Sequence, residues 1–140
     1  MTRIAIDAMG GDHAPHEIVA GAVWAAQEYG VAIELVGKQD RIEQELDKIT
    51  HEGFYSDCGK AGKQYRIKID TSKLDIKITH ASEIIEMGEA PGQAIRKKKK
   101  SSIVLAVAAV AEGSSDAVVA AGSTGAAMAS SLFGLGRLQG

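Results

Sequence analysis

Residues 115–128 read SDAVVAAGSTGAAM, a short apolar strand pattern followed by a glycine-bracketed turn and an apolar helix pattern. Glycine and other small residues allow a bound anion to approach the backbone of such a turn closely. The first N–H groups of the following helix have no partner within the helix and carry a partial positive charge. The stretch is therefore typical of an anion-binding turn at a helix N-terminus.

A second glycine turn follows the first predicted strand, where residues 4–15 read IAIDAMGGDHAP. In a parallel sheet, the loops that follow the strands meet at one edge, and ligands bind there. We therefore expect the turn at Gly10 and Gly11 to lie beside the turn at residues 122–125. Asp7 lies inside or at the end of the first strand, and we interpret it either as a site residue or as a buried carboxylate with hydrogen-bond partners.

Strand and helix patterns alternate in the order β-α-β-α-β-α-α-β-α, which predicts an α/β fold with a mainly parallel sheet and right-handed crossovers. Proline and glycine mark boundaries: Pro15 and Pro91 suit first helical turns, and Gly30 ends a helix. The predicted strands cover residues 4–8, 31–36, 74–79 and 117–121. The predicted helices cover residues 15–29 and 39–49, a short segment from residue 91, and residues 103–112 and 124–135.

Residues 50–72 lack a sustained apolar period, so we predict a loop or insertion there, within which residues 64–69 could form an edge strand. The chain ends after a helix pattern, and four parallel strands make a small sheet with exposed edges. We therefore expect residues 1–140 to be the amino-terminal part of a single domain, incomplete in this chain.

The composition excludes several classes of protein. The chain has 45% apolar and 24% charged residues, which permits an ordinary globular core. Its formal net charge of −2 gives no overall attraction to nucleic acid, so we expect no such partner. The longest apolar run, residues 103–111, is shorter than the roughly 20 residues of a membrane-spanning helix. It therefore predicts a buried helix.

The single cysteine, Cys58, can form no disulfide within the chain and has no partner at zinc-ligand spacing. It lies near no histidine motif, and we reject it as a nucleophile. The amino terminus lacks the pattern of a signal peptide. These features indicate a cytoplasmic protein. The glycine patterns of dinucleotide-binding and P-loop sites are absent, which excludes both of those interpretations.

Three blocks in the same order and spacing resemble the PlsX-type phosphate acyltransferases of bacterial phospholipid synthesis: residues 6–15, residues 96–102 and residues 121–126. The resemblance implies a Rossmann-like three-layer α/β/α fold and transfer of a fatty acyl group from acyl carrier protein to inorganic phosphate, without a cofactor. It also implies a homodimer, either soluble or peripherally associated with the inner face of the membrane. Ser123 stands where the family more often has asparagine, and family members are more than twice as long.

The reaction requires phosphate held close to the thioester carbonyl and donors directed at the oxyanion that develops, and it requires neither a metal nor a protein nucleophile. Asp12 or His13 can accept a proton or orient a donor, although Asp12 also suits a helix cap and His13 a solvated loop. The candidate ligands of phosphate and substrate are Gly10, Gly11, Arg96, Lys98, Ser101, Ser102, Gly122, Ser123, Thr124 and Gly125. We expect the two serines at 101 and 102 to act first as helix caps.

Other interpretations remain open at this point. The lysines at 97–100 form either a solvated surface or a contact for phosphate, for an acidic carrier protein or for anionic lipid. A second candidate enzyme is a short-chain phosphotransacetylase that uses coenzyme A thioesters. A non-enzymatic candidate is an inactive remnant that only dimerises or binds anions.

Overall fold

The computed structural model of the protein describes residues 1–56 and 65–139. Its strands are β1 (Arg3–Asp7), β2 (Ala32–Gly37), β3 (Phe54–Ser56), β4 (Tyr65–Ile67), β5 (Ile76–His80) and β6 (Ala117–Val119). Its helices are α1 (His16–Tyr29), α2 (Gln39–His51), α3 (Pro91–Lys97), α4 (Ser102–Ala111) and α5 (Thr124–Gly134), with a short 3-10 turn at Thr71–Lys73. The predicted alternation of strands and helices is confirmed.

Four of the strands form one parallel sheet in the order β5, β2, β1, β6. Ile6 of β1 is paired in register with Leu35 of β2 on one side and with Val119 of β6 on the other. Because β1 and β6 are parallel neighbours, the turns that follow them lie at the same edge of the sheet. This is the arrangement that the two glycine turns predict.

Helices cover both faces of the sheet. On one face, α1 and α2 pack against a core that includes Ile6, Ile33 and Leu35. On the other face, α4 packs against Ala5 and Val36, α5 packs against α4, and α3 packs against α5. The protein is therefore an α/β structure of the Rossmann-like type, as predicted.

The boundary signals that were identified in the sequence act as expected. Gly30 adopts a left-handed conformation with φ of 63° and ends α1 by donating its N–H to the carbonyl of Ala26. Pro91 occupies the first turn of α3, where its missing N–H costs nothing. β6 ends at Val119, two residues before the predicted boundary, because Ala120 and Ala121 already belong to the turn.

The segment at 50–72, which was predicted to be a loop or insertion, contains two short strands. Phe54–Ser56 pairs with Tyr65–Ile67 as a small antiparallel sheet, separate from the main one. The buried ring of Phe54 packs against Trp24 of α1, with 6.5 Å between ring centroids. The predicted strand within 64–69 therefore exists, but it does not extend the edge of the main sheet. Cys58 and the middle of this segment lie outside the described residues.

The helices of the described residues are too short, or too polar, for any of them to cross a bilayer. Residues 103–111 all lie within α4, whose buried side chains include Ile103, Ala106 and Val107. The longest apolar run is thus a helix between the sheet and α5, as predicted.

Candidate functional site

The two glycine turns are in direct contact at the carboxyl edge of the sheet. A Cβ atom built on Gly122 would lie 2.8 Å from Cα of Gly10, and one built on Gly10 would lie 3.1 Å from the backbone N of Gly122. No side chain can be accommodated between backbones at these distances, so both positions require glycine. Gly11 beside them has φ of 114°, a conformation that other residues rarely adopt.

Asp7 lies beneath this pair of turns. Its side chain is buried, and Oδ1 accepts a hydrogen bond of 3.1 Å from the backbone N–H of Met9. Burial raises the pKa of the Asp7 carboxyl, although hydrogen bonds from the Ser102 hydroxyl and from the Met9 and Gly10 amides oppose that effect. A Cβ atom on Gly10 would lie 2.6 Å from Oδ2 of Asp7. The carboxyl thus has partners and also contacts the turn.

Ser101 and Ser102 begin α4, and both are buried. Ser101 is the N-cap residue of α4, as predicted, but its side chain makes no capping hydrogen bond. Ser102 is the first residue of the helix. Ser102 instead binds the carboxyl of Asp7. The Ser101 hydroxyl has no hydrogen-bond partner among the described residues. The N-terminus of α4 is thereby held against the end of β1.

The turn at 122–125 leads directly into α5. Ser123 is the N-cap of this helix, and its hydroxyl accepts a hydrogen bond of 3.3 Å from the N–H of Ala126. Thr124 is exposed at the first helical position. A Cβ atom on Gly125 would lie 2.6 Å from Cγ of Pro91, so α3 and α5 approach each other closely at their N-termini. The hydroxyl of Ser123 is already used as a cap.

The Lys98 side chain forms two hydrogen bonds to other residues. Its ammonium donates to Oε1 of Glu89 at 2.5 Å and to the carbonyl of Ile84 at 2.8 Å. The Glu86 N–H and the Lys98 ammonium hold the pKa of Glu89 below its usual value. To bind phosphate, Lys98 would have to exchange its contact with Glu89 for the phosphate.

Arg96 is not brought to the glycine turns. It is exposed near the end of α3 and lies beside Ser130 and Phe133, in the second half of α5. The turn precedes the first half of that helix. The structure therefore separates the two cations that the sequence analysis grouped, Arg96 and Lys98.

Asp12 and His13 follow Gly11 and are exposed on the same side as the paired turns. The predicted cap by Asp12 is wrong, because Pro15 occupies the N-cap position of α1 and no side chain caps that helix. His13 is an exposed loop residue, as expected. Within residues 1–56 and 65–139, neither side chain has a hydrogen-bond partner. A contact of either side chain with a ligand at the turns stays a prediction.

Sequence analysis missed a buried carboxylate, Glu34, in the middle of β2. Burial alone would raise its pKa, but hydrogen bonds from Thr79, Lys77 and Ser115 outweigh burial and lower it. The available signal was a charged residue inside an otherwise apolar strand, with Lys77 and Thr79 alternating in a later strand. This carboxylate holds the sheet together at a distance from the glycine turns.

The described part of the chain contains no group of three or more histidine, cysteine, aspartate or glutamate side chains arranged to hold a metal ion. The site consists instead of backbone amides, hydroxyls and one buried carboxyl. Such a set of groups suits an oxyanion, because N–H and O–H groups donate to it without a full positive charge.

Comparison with known proteins agrees with this geometry. The family described as "Fatty acid synthesis protein" matches residues 2–57 and 60–140. A phosphate acyltransferase of Desulforamulus reducens is 53% identical over 140 residues, which are 100% of this chain and 36% of the relative. A phosphate acyltransferase of Heliobacterium modesticaldum is 51% identical over 138 residues, which are 99% of this chain and 36% of the relative.

A phosphate acyltransferase of Desulfitobacterium hafniense strain Y51 is 46% identical over 140 residues, again 100% of this chain and 36% of the relative. The chain thus spans little more than a third of the length of these relatives. The matched region includes the paired glycine turns, Asp7 and the N-termini of α4 and α5. By its sequence, this chain belongs to the fatty acid synthesis protein family, the family of the PlsX-type phosphate acyltransferases.

Proposed function

We propose that this protein transfers a fatty acyl group from acyl carrier protein to inorganic phosphate and releases an acyl phosphate for phospholipid synthesis. The observation that carries the proposal is the contact between Gly10 and Gly122 at the start of α5. The names of the relatives, phosphate acyltransferase, support the same reaction.

The phosphate would bind at the turn before α5. The N–H groups of Thr124 and Gly125 have no acceptor within the helix, because the first turn of any α-helix leaves its N–H groups unpaired. The helix dipole adds a partial positive charge at that end. The exposed Thr124 hydroxyl can donate to a phosphate oxygen, and the bare backbones of Gly10, Gly11 and Gly122 leave space for one.

The reaction would proceed by attack of a phosphate oxygen on the thioester carbonyl carbon. The carbonyl oxygen becomes an oxyanion, which the amides of the turn stabilise, and the C–S bond then breaks. Asp12 or His13 would accept the proton that hydrogen phosphate loses as it attacks. The same residue would return that proton to the departing thiolate. Ser101, Ser102, Arg96 and Lys98 stay candidate substrate ligands.

Three exposed lysines near the end of α3 offer a contact for an acidic partner. An acidic carrier protein or an anionic lipid surface would meet the exposed lysines at 97, 99 and 100. We propose a cytoplasmic homodimer that associates peripherally with the inner face of the membrane. If the lysines make this contact, raising the salt concentration will weaken it.

The test combines a binding measurement with an activity measurement. Orthophosphate titrated into the isotopically labelled protein should shift the amide resonances of residues 122–125, and sulfate serves as a competing anion. Acyl carrier protein charged with a fatty acyl group should then release free thiol only when phosphate is present. Absence of both responses would overturn the proposal.

Two further measurements distinguish the proposed enzyme from a phosphotransacetylase and from an inactive remnant. Turnover of acyl coenzyme A in preference to the acyl carrier protein thioester would identify a phosphotransacetylase. Phosphate binding without any thiol release, from a folded protein, would identify a remnant that only binds anions. Gly122→Ala should abolish the phosphate response, whereas Gly21→Ala should leave it intact, because a Cβ atom at Gly21 of α1 meets nothing within 4 Å.

A further inference from the structure

An apolar groove lies on the outer side of α4, between α3 and α5. Its volume is about 360 Å³, within the range of small-molecule sites, which is roughly 300–1,000 Å³. Four of its lining residues, Val104, Val107, Ala108 and Ala111, recur at the spacing of one helix face. The groove therefore follows α4 over about 10 Å, at 1.5 Å per residue.

Small residues give the groove its shape. A Cβ atom on Gly134 would lie 2.6 Å from Cγ1 of Val107, so α5 approaches α4 closely at that point. Ala108 and Ala111 then leave an open channel beside this contact, and Ile95 and Phe133 form its side walls. The walls of this channel are mostly apolar.

Polar groups are few in this groove and lie at defined places. Ser130 is buried in its wall, and its hydroxyl has no hydrogen-bond partner among the described residues. Arg96 and Lys99 are exposed at the rim, and neither forms an ion pair within residues 1–56 and 65–139. Glu112 is the one acidic residue of the lining and belongs to the last turn of α4.

We propose that this groove binds a single long-chain acyl anion, with the hydrocarbon chain along α4 and the anionic head under Arg96 and Lys99. The choice of a fatty acyl ligand rests on the proposed function, in which the protein acts on fatty acyl groups. It is distinct from the phosphate-binding turn, because its lining includes the second half of α5. The head is either a carboxylate or an acyl phosphate, and both are anions whose oxygens accept hydrogen bonds from Arg96 and Lys99.

Charge and shape together select this ligand. An apolar chain gains from leaving water in proportion to the area that it buries, and an anionic head compensates the two rim cations. A wholly apolar ligand would leave the two rim cations without a partner.

The first test measures binding of dodecanoate and of dodecyl phosphate by calorimetry. Both should bind once per chain, and shortening the chain should weaken binding by about fourfold per methylene. The two ligands distinguish a free fatty acid from an acyl phosphate as the preferred occupant. Ala108→Leu and the more exposed Ala111→Leu both fill the groove and should weaken binding at least tenfold.

A matched control is Ala25→Leu, which fills a second apolar groove between α1 and the sheet. It should leave both affinities unchanged. Arg96→Gln and Lys99→Gln should weaken dodecyl phosphate more than dodecanol, whereas Lys97→Gln, at an exposed position outside the groove, should not.

Three results would overturn the proposal. One is binding that survives both groove-filling variants, and another is an equal loss from Ala25→Leu. The third is a change in molecular mass, rather than in ligand affinity, when the groove is filled, since that would make it an interface between copies. If neither dodecanoate nor dodecyl phosphate binds but orthophosphate still shifts the amide resonances of residues 122–125, the groove proposal fails and the acyltransferase proposal stands. If the two ligands bind but orthophosphate shifts none of these resonances, the groove proposal stands and the acyltransferase proposal loses its phosphate site.

Discussion

The Ser115 hydroxyl donates a hydrogen bond of 2.9 Å to Oε2 of Glu34, which joins the segment just before β6 to the middle of β2. Thr79 and Lys77 of β5 donate to the other carboxylate oxygen, at 2.6 and 3.1 Å. Ala5 of β1 is paired in register with Glu34, and its small side chain leaves room for a contact that crosses β1. One buried carboxylate therefore connects β2 and β5 with the segment that leads into β6.

Removal of this carboxylate should destabilise the protein. Glu34→Ala leaves the Thr79 and Ser115 hydroxyls without their acceptor, and we expect a loss of about 2 to 4 kcal/mol in the free energy of unfolding. Urea denaturation measures the change. Glu28→Ala, at an exposed position on α1, is the control and should change stability by less than about 0.5 kcal/mol. Equal effects of the two variants would contradict the role assigned to Glu34.

Glu34 should also make the protein sensitive to acid. Its pKa in the folded protein is lowered from the usual value of 4.5, so the unfolded chain takes up the proton first as the pH falls. The stabilisation is complete above pH 4.5 and is lost as the pH falls through the lower folded pKa. Glu34→Gln should be less stable at neutral pH and should show a flatter dependence below pH 4.5. If the free energies of unfolding of Glu34→Gln and wild type changed with pH in parallel below pH 4.5, this expectation would be contradicted.

Asp7 should have the opposite effect on pH dependence. Burial raises its pKa above the usual 3.8, so the unfolded chain loses the proton first as the pH rises. Wild-type stability therefore decreases from pH 3.8 up to the raised folded pKa. Asp7→Asn removes this titration, and the stability of the variant relative to wild type should increase over that window. A constant difference across it would show that Asp7 titrates in the same way in both states.

The contact between the glycine turns should tolerate no side chain. Gly122→Ala places a methyl group against the backbone of Gly10, and we expect a destabilisation of about 1 to 3 kcal/mol. Gly21→Ala, within α1, should instead stabilise by about 0.5 to 1 kcal/mol because alanine favours a helix. Thermal unfolding followed by circular dichroism measures both changes. The interpretation fails if alanine is tolerated equally at the two positions.

Lys98 should contribute to stability through its contacts with Glu89 and the Ile84 carbonyl. Lys98→Gln should cost about 1 kcal/mol, a modest amount because both charged side chains are partly exposed. Lys97→Gln is the matched control on the neighbouring exposed lysine and should change stability by less than about 0.5 kcal/mol. If the two variants are indistinguishable in urea, the ion pair seen at Lys98 contributes nothing measurable.

The sequence by itself determined the order of the elements and the position of the two turns. The alternation of apolar segments, with Gly30 and Pro91 at their boundaries, predicted the helices and the four strands of the main sheet to within two residues. Gly10 and Gly122 could be placed together in advance, because parallel strands bring their following loops to one edge. The period of apolar residues and the presence of glycine or proline at a boundary are local properties, and they can be recognised directly in the sequence.

Only the tertiary structure decided which side chains meet. Lys98 and Arg96 are two residues apart, yet the first is tied to Glu89 and the second faces the groove beside Ser130. Glu34 carries the charge of a surface residue but is buried, because Ser115, Thr79 and Lys77 converge on it from distant parts of the chain. Contacts of this kind depend on how the elements pack in three dimensions, which no spacing along the chain encodes.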